Sequence, residues 1–594
     1  MVFYKAFLRT LMWRPRQALE ALYWHVTGRR VRARNRLRIN GAQSPFAYQL
    51  WIESIEGEAA PPALAGQESL QQPLFSVIFH DSPDLLPGQR ERSLAALCGQ
   101  CWQQWELVLI RAPGSPAPFA LDVPRLTLVP GLAESDAEAL AAGIAAANGA
   151  FVLPLPAGAV LPPHALLRYA GALADDTGAV EVIYGDQDEI SARGHRARPW
   201  FKPRWNPEMF LAQDYISDAC VIRTTRARAA LPLGPAATGA ASYALLLAIA
   251  RPETLGEPVP ARIVHLPQVL AHLPARGLAA RQDARAAAVA AHLAGRAAAV
   301  RPGAFGSIRV DWPLPEPAPL VSIIVPTRDQ LRLLRNCVNG VLTRTRYRPF
   351  EVIIVDNGSR EPETLAYLAR VADNPQVRVL AYDAPFNFSA INNFAARHAQ
   401  GRYLCLLNND IEIIDENWLG ALMRQAVRPE VGAAGAKLLY EDGTIQHAGV
   451  VIGLGEAAGH AHRFQRDDDP GYFARAHVAH RASAVTAACL VVEKAKFEAV
   501  GGFDEDHLAV AFNDVDLCLK LDRAGWCNLY VPQAVAVHHE SKSRGRDFLP
   551  ANIDRYMSEL AVLQERWATR DYRDPLHHPH LDEYSETYVI QLGP

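Results

Sequence analysis

The run Leu320-Val321-Ser322-Ile323-Ile324-Val325-Pro326-Thr327-Arg328-Asp329 decides the fold, together with FEVIIVDNGS at 350–359, VRVLAYD at 377–383 and YLCLLNND at 403–410. Each is a short apolar stretch with polar residues at its C-terminal end. Helical stretches such as RNCVNGVLTRT (335–345) and NNFAARHAQ (392–400) lie between them. Strand and helix in alternation predict an α/β sheet, largely parallel, whose ligands gather beyond the strand carboxyl ends. Upstream the pattern occurs once before: PLFSVIFHDSP (73–83) and WELVLI (105–110) alternate with Ala/Leu helices such as AEALAAGIAAANG (137–149). The expectation is two tandem Rossmann-like α/β/α domains.

Length agrees, since 594 residues exceed what one core organises and 49% hydrophobic residues suffice for two. Proline-rich stretches at Pro61 to Pro73 and from Pro302 through Pro319 punctuate the chain. The predicted layout is a basic amphipathic segment over 1–40, a first domain over 73–300, a linker over 301–318, a second domain over 319–548, and a helix with a tail over 549–594. The Ala/Arg run at 282–300 reads as a covering helix.

A net charge of −3 and a pI near 6.7 argue against a nucleic-acid partner. Through Asn40, however, ten Lys or Arg face one acid, Glu20, and Phe3, Phe7, Leu8, Leu11 and Met12 recur at helical spacing. Such a segment suits an anionic membrane surface, and it equally suits a helix packed on its own domain with a solvated arginine tail. No apolar run of about 18 residues and no signal-peptide pattern is found. Eight scattered cysteines, with only Cys98 and Cys101 closely spaced, suggest a reducing compartment. The expected location is therefore cytoplasmic, or peripheral on the inner face of the cytoplasmic membrane.

Carboxylates at strand ends carry the chemistry. Asp356 opens the turn Asn357-Gly358-Ser359, which fits either a nucleotide base or ribose or an Asx turn that caps the next helix. Asp410 ends its strand in the same way, so both carboxylates are expected to overlook one crevice. Asp514 in FNDVDLC (512–518) and His538 beyond it supply the other groups that can hold a divalent metal and take a proton from a hydroxyl. Asp516 lies about 200° around a helix from Asp514, which makes it a structural residue or cap. His539 is second choice to His538, because adjacent strand residues face opposite sides.

These residues resemble the inverting glycosyltransferases of family 2, with the GT-A fold, over roughly 319–546. VSIIVPTRD is similar to that family's first nucleotide-binding strand, VDNGS to its base-binding turn and LNND to its metal-binding Asp-x-Asp motif. GGFDE (501–505) with FNDVDLCLKLDRAGW (512–526) is similar to its acceptor loop and catalytic-base motif. PFNFSAINNFAA (385–396), SAVTAACLVV (483–492) and HHESKSRG (538–545) resemble the subgroup that builds bacterial surface polysaccharides such as O-antigen. The resemblance implies a nucleotide-diphosphate sugar as donor, with Pro326, Thr327, Asp329, Asp356, Asn387, Asn392, Asn408 and Asn409 at its binding site. It implies Mn2+ or Mg2+ on Asp410 and His538, and Asp514 as the base. The acceptor would be a polysaccharide or lipid-linked glycan, met by His447, His460, Asp504 and Glu505; His447 and His460 read equally as loop and core histidines.

Two residues depart from the pattern, Asn408 at the first aspartate of Asp-x-Asp and Asn513 before the base. They support an alternative, a non-catalytic carbohydrate-binding or assembly scaffold. The first half resembles the same fold more weakly. Where ligands should stand it reads Pro156-Ala157-Gly158-Ala159, and where the base helix should carry acids it reads Ala241-Ser242-Tyr243-Ala244-Leu245-Leu246. It is expected to be a degenerate copy, with Asp186, Asp188 and Glu189 left on a solvated turn or around an independent metal.

Overall fold

A computed structural model describes residues 2–27, 37, 44–57, 73–81, 88–111, 123, 125–130, 135–173, 178–250, 262–275, 277, 279–539 and 552–592. The proline-rich stretch before Pro73, the arginines of 29–38 and the ESKSRG run after His539 lie outside these residues.

Eight strands build a first sheet: β1 (Phe75–Asp81), β2 (Trp105–Arg111), β3 (Leu126–Pro130), β4 (Phe151–Leu155), β5 (Val180–Ile190), β6 (Arg196–Trp200), β7 (Val221–Arg223) and β8 (Arg262–Pro274). Eight more form the frame of a second: β9 (Val321–Thr327), β10 (Phe350–Asp356), β11 (Val377–Ala381), β12 (Tyr403–Leu407), β13 (Val431–Leu439), β14 (Ile445–His447), β15 (Cys489–Glu493) and β16 (Cys527–His538). The first runs in the order β3-β2-β1-β4-β7-β5-β8 and the second in the order β11-β10-β9-β12-β15-β13-β16. β6 and β14 each fold back on the strand before them. Every pairing keeps its sense, parallel through the first four strands, antiparallel on both sides of β7 and β15, and parallel again at the last pair. The chain therefore holds one α/β topology twice.

The repetition reaches single atoms. In the first sheet Ser76 Oγ donates to Glu106 Oε1 at 2.5 Å and accepts from the Gly149 N–H at 2.8 Å. In the second, Ser322 Oγ donates to Glu351 Oε1 at 2.6 Å and accepts from the Gly401 N–H at 2.8 Å. Both glycines are required by close approach, for a Cβ would stand 2.5 Å from Leu74 O in one and 2.6 Å from Ser322 N in the other. Each serine–glutamate pair thus satisfies buried polar atoms where the crossover re-enters the sheet.

Apolar clusters fill both faces of each sheet, as continuous apolar strands demand. The two copies share packed surface. Phe473 of the second stacks on Trp200 of the first, centroids 4.5 Å apart, and Val478 enters the first copy's core. A buried Arg428 reaches across to both carboxylate oxygens of Glu208, at 2.9 and 2.5 Å, and its guanidinium lies over Trp312. The first part of the stretch expected to be linker, 301–318, pairs instead with the residues before it as an antiparallel hairpin, Ala299–Pro302 with Ile308–Asp311. The hairpin is ordered because Ile308 buries itself with the first copy.

Among the helices, α1 (Val2–Trp13) and α2 (Pro15–Val26) pack on each other, α3 (Phe388–His398) follows β11, α4 (Asn513–Arg523) precedes β16, and α5 (Ile553–Trp567) opens the tail. Among the described residues no helix is long and apolar enough to cross a membrane. The segment over 47–56 and the tail meet between the copies, where Trp51 packs on Phe201 and His580. Asp186 and Asp188 belong to this joint, which corrects the expectation of a solvated turn. Asp186 accepts from His265 and the Lys202 N–H and faces His578 Nε2 at 2.8 Å. His578 Nδ1 accepts the His580 N–H, so its Nε2 carries the proton that faces Asp186. Asp188 is bound by Tyr48, Arg196 and His272. Asp188 is satisfied by these three partners, whereas Asp186, His265 and His578 lie close enough together that they could hold a metal ion.

Candidate active site

The carboxyl ends of β9, β10 and β12 open onto a cavity of about 1210 Å3. Pro326 and Thr327 line it from β9, Asn408, Asn409 and Asp410 from the turn after β12, Asp514 from α4, and His538 from the end of β16. The fold thus brings together groups 128 positions apart (538 minus 410).

Local geometry explains each position. Asn408 is held by its N–H on Ala488 O, 3.0 Å, and its Oδ1 is buried with no hydrogen-bond partner. Asn409 turns inward and donates to Thr327 Oγ1 at 3.0 Å, locking the ends of two neighbouring strands. The backbone carbonyl of Asp410 accepts the His539 N–H, and the short strand Ile411–Ile413 then pairs with β16, which sets Asp410 beside His538. His538 Nδ1 donates to Gln446 Oε1 at 2.7 Å. That bond turns Nε2 toward Asp410 Oδ1, 3.1 Å away. A carboxylate and an imidazole this close in a buried place are the groups that could hold a cation here, with Gln446 orienting the imidazole from behind. His539 does not join them; it sits between Glu441 Oε1, 2.5 Å, and Glu412 Oε2, 3.1 Å.

Asp514 is in the first turn of α4 and half-buried. The Ala487 N–H donates to its Oδ2 at 3.2 Å and the Val515 N–H to its Oδ1 at 2.9 Å, so the carboxylate is oriented from two sides. Asn513 points away and donates to Ser389 Oγ and Val510 O. Asp516 is fully buried, with Arg566, Trp567 and Lys520 around it. It ties the tail to α4, as the helical geometry required.

Several expected residues do not reach the cavity. Asp356 closes an Asx turn by accepting the Ser359 N–H at 3.0 Å, and the lining residue is its neighbour Asn357. Asp329 accepts the N–H groups of Arg360 and Glu361, which hold its carboxyl below the usual range. Asn387 caps α3 and donates to Glu505 O, while Asn392 donates to Phe388 O inside the same helix. Asp504 is spoken for by Arg566 at 2.6 Å, and with Glu505 it borders a separate surface depression. His447 lies behind the wall: burial pushes it down to about 3, with Nδ1–H on Ala436 O and Nε2 accepting the Thr486 N–H. Of the expected acceptor residues, only His460 lines the cavity.

Other lining groups include several to which the sequence assigned no definite role. Asn357 Oδ1 is buried without a hydrogen bond, its amide nitrogen donating to Tyr382 O and Ala384 O. Tyr440, Arg463 and Phe464 line one side, and Tyr556 comes from α5. From the same helix Glu559 accepts the N–H groups of Val510 and Ala511, at 3.0 and 2.7 Å, and so positions the loop that leads into Asp514.

The first copy has closed the corresponding place. Gly158 adopts φ +81, and a Cβ there would stand 2.8 Å from Pro274 at the end of β8. Val160 pairs with His272 through both backbone groups, each 2.8 Å. The helix Ala241–Ile249, where acids were missing, puts Tyr243, Leu245 and Leu246 into the core.

Residues 322–470 match the model of glycosyl transferase family 2. An uncharacterized protein y4gI of Sinorhizobium fredii is 38% identical over 559 residues, covering 89% of this chain and 60% of that protein. The O-antigen biosynthesis protein RfbC of Myxococcus xanthus is 35% identical over 551 residues, covering 90% of this chain and 42% of its own length. An N-acetylglucosaminyl-diphospho-decaprenol L-rhamnosyltransferase of Mycobacterium tuberculosis is 29% identical over 253 residues, 37% of this chain and 76% of that one. The chain spans roughly half the length of the first two relatives.

Proposed function

With a family 2 glycosyltransferase domain in its second half, we propose that the chain transfers a sugar, with inversion, from a nucleotide-diphosphate sugar to a hydroxyl of a polysaccharide or lipid-linked glycan in surface-polysaccharide synthesis. The observation that carries this reading is the convergence of Asp410, His538 and Asp514 on one cavity. Similarity to the O-antigen protein and the rhamnosyltransferase supports the polysaccharide setting.

The nucleotide lies along Pro326, Thr327 and Asn357, where the buried, unbonded Asn357 Oδ1 accepts a donor from the base or ribose. Asp410 and His538 are the groups that would hold Mn2+ or Mg2+, with the Asn408 carbonyl within the same turn. When bound, such an ion neutralises charge growing on the departing diphosphate. Asp514 takes the proton of the acceptor hydroxyl as the oxygen attacks the anomeric carbon from the face opposite the leaving group. A single carboxylate in this role suits transfer with inversion. Hydrolases generally flank the bond with two.

Replacing Asp514 by Asn keeps the size and removes the base. Transfer is expected to fall by about 100- to 10,000-fold, with nucleotide affinity held, as read by product assay and calorimetry. Unchanged turnover would refute the base assignment.

The membrane expectation finds support in the α1–α2 hairpin. Thr10, Ala18 and Ala21 are buried, whereas Leu8, Met12, Trp13, Leu19, Tyr23 and Val26 stay exposed, Met12 at 76% and Val26 at 77%. Such a surface beside Arg14 and Arg16 suits anionic headgroups. Full-length protein should co-sediment with phosphatidylglycerol-containing vesicles, and a chain starting at residue 41 should remain in the supernatant. Equal sedimentation of both would disprove it.

A further inference from the structure

The turn over 462–464 joins two uncommon features. His462 and Phe464 both adopt left-handed backbone, φ +62 and +64, a conformation that costs a bulky residue strain. Phe464 is also 63% exposed although it lines the cavity. Burial of His462 against Tyr588 accounts for part of this turn, but not for the solvent-exposed Phe464 ring.

Its surroundings fix the ring in place. The Phe464 N–H donates to Ile445 O and the Ile445 N–H to Gln465 O, pinning the turn to β14. The Phe464 ring lies parallel to Tyr440, centroids 5.4 Å apart and planes within 8°. Arg463 Nε donates to the Tyr440 hydroxyl at 2.7 Å, and its guanidinium lies 5.0 Å from the Phe464 ring centre. The pair therefore forms a braced aromatic platform whose Phe464 ring stays largely exposed at the cavity. It adjoins the chemistry, because Glu441, next to Tyr440, holds His539, and Gln446, next to Ile445, holds His538.

We propose that Phe464, backed by Tyr440 and Arg463, is the acceptor platform: its exposed ring packs against the apolar face of a sugar ring of the acceptor glycan. A pyranose presents axial C–H groups on such a face, which suit the electron-rich surface of a phenyl ring. The reacting sugar of the donor must sit deeper, between Asp410 and Asp514. An exposed ring at the mouth therefore meets the acceptor.

This inference rests on the transferase reading, and the experiment separates the two. Full-length protein with Mn2+ is given a nucleotide sugar and octyl glycosides of glucose, mannose, galactose and rhamnose, and transfer is followed by mass spectrometry. For Phe464→Ala the KM for the glycoside should rise about tenfold, against less than about twofold for the donor KM, and Phe464→Trp should recover most of the difference. An unchanged glycoside KM, or an equal rise for donor and glycoside, overturns the platform while leaving the transferase reading standing. If the wild type transfers from no nucleotide sugar, the transferase reading fails. Saturation-transfer NMR with the same glycosides then decides the platform, with signals lost in Phe464→Ala supporting it and signals kept overturning it.

Discussion

At the scale of single residues the site depends on groups behind those that meet the ligand. Gln446 is the clearest case, because its bond to Nδ1 turns the Nε2 of His538 toward Asp410. Gln446→Ala is expected to weaken Mn2+ binding by about 10- to 100-fold, measured by titration of activity or of bound metal, with little change in unfolding midpoint. Unaltered affinity would mean that the imidazole is oriented by other means. His447 acts by the same logic one step further back. It supports the Thr486 N–H, and the next amide, Ala487, holds Asp514. Its full burial behind the wall keeps this histidine out of the cavity.

Elements place these residues, and α5 does so from a distance. Glu559→Ala would leave the Val510 and Ala511 N–H groups without their acceptor, which is expected to cost about 1–3 kcal/mol for each orphaned amide. Turnover should fall together with the thermal midpoint, while donor affinity is retained; full activity would show that the loop before Asp514 holds its own shape. Strand ends were the most legible part of the sequence, because apolar runs with polar termini announce both the sheet and its functional edge. That Asp410, Asp514 and His538 would share one cavity follows from the motif order of the family the sequence resembles. Asn357 could not be read in this way, since sequence alone does not tell which of Asp356 and Asn357 closes the turn. Nor could Tyr556 and Glu559, because the sequence of an amphipathic helix gives no sign of what it docks on. The hairpin over 299–311 is not legible because Pro302 and the prolines that follow from Pro313 suggest a linker and mask a short two-strand pairing.

For the whole molecule, burial of histidines sets a limit on pH. His447, His462, His480 and His577 are each pushed down to about 3, chiefly by burial. Their folded values lie below that of the unfolded chain, about 6.5, so unfolding takes up protons once the pH drops under that value. The stabilisation is complete above about pH 6.5 and is lost on going toward 3, at about 1.4 kcal/mol per pH unit for each histidine. Urea midpoints should therefore fall steeply between pH 6.5 and 5 and be nearly level from 7 to 8; a level profile throughout would refute neutral burial. A different consequence follows from the paired serine–glutamate bonds at Ser76 and Ser322. Two sheets with one strand order and the same polar key offer β1 and β10, or β9 and β2, as wrong partners during folding, a trap typical of duplicated domains. Order of synthesis guards against it. The first copy can close around β8 at Pro274 before β9 at Val321 has been made, so the earlier domain is out of reach when its double begins to fold.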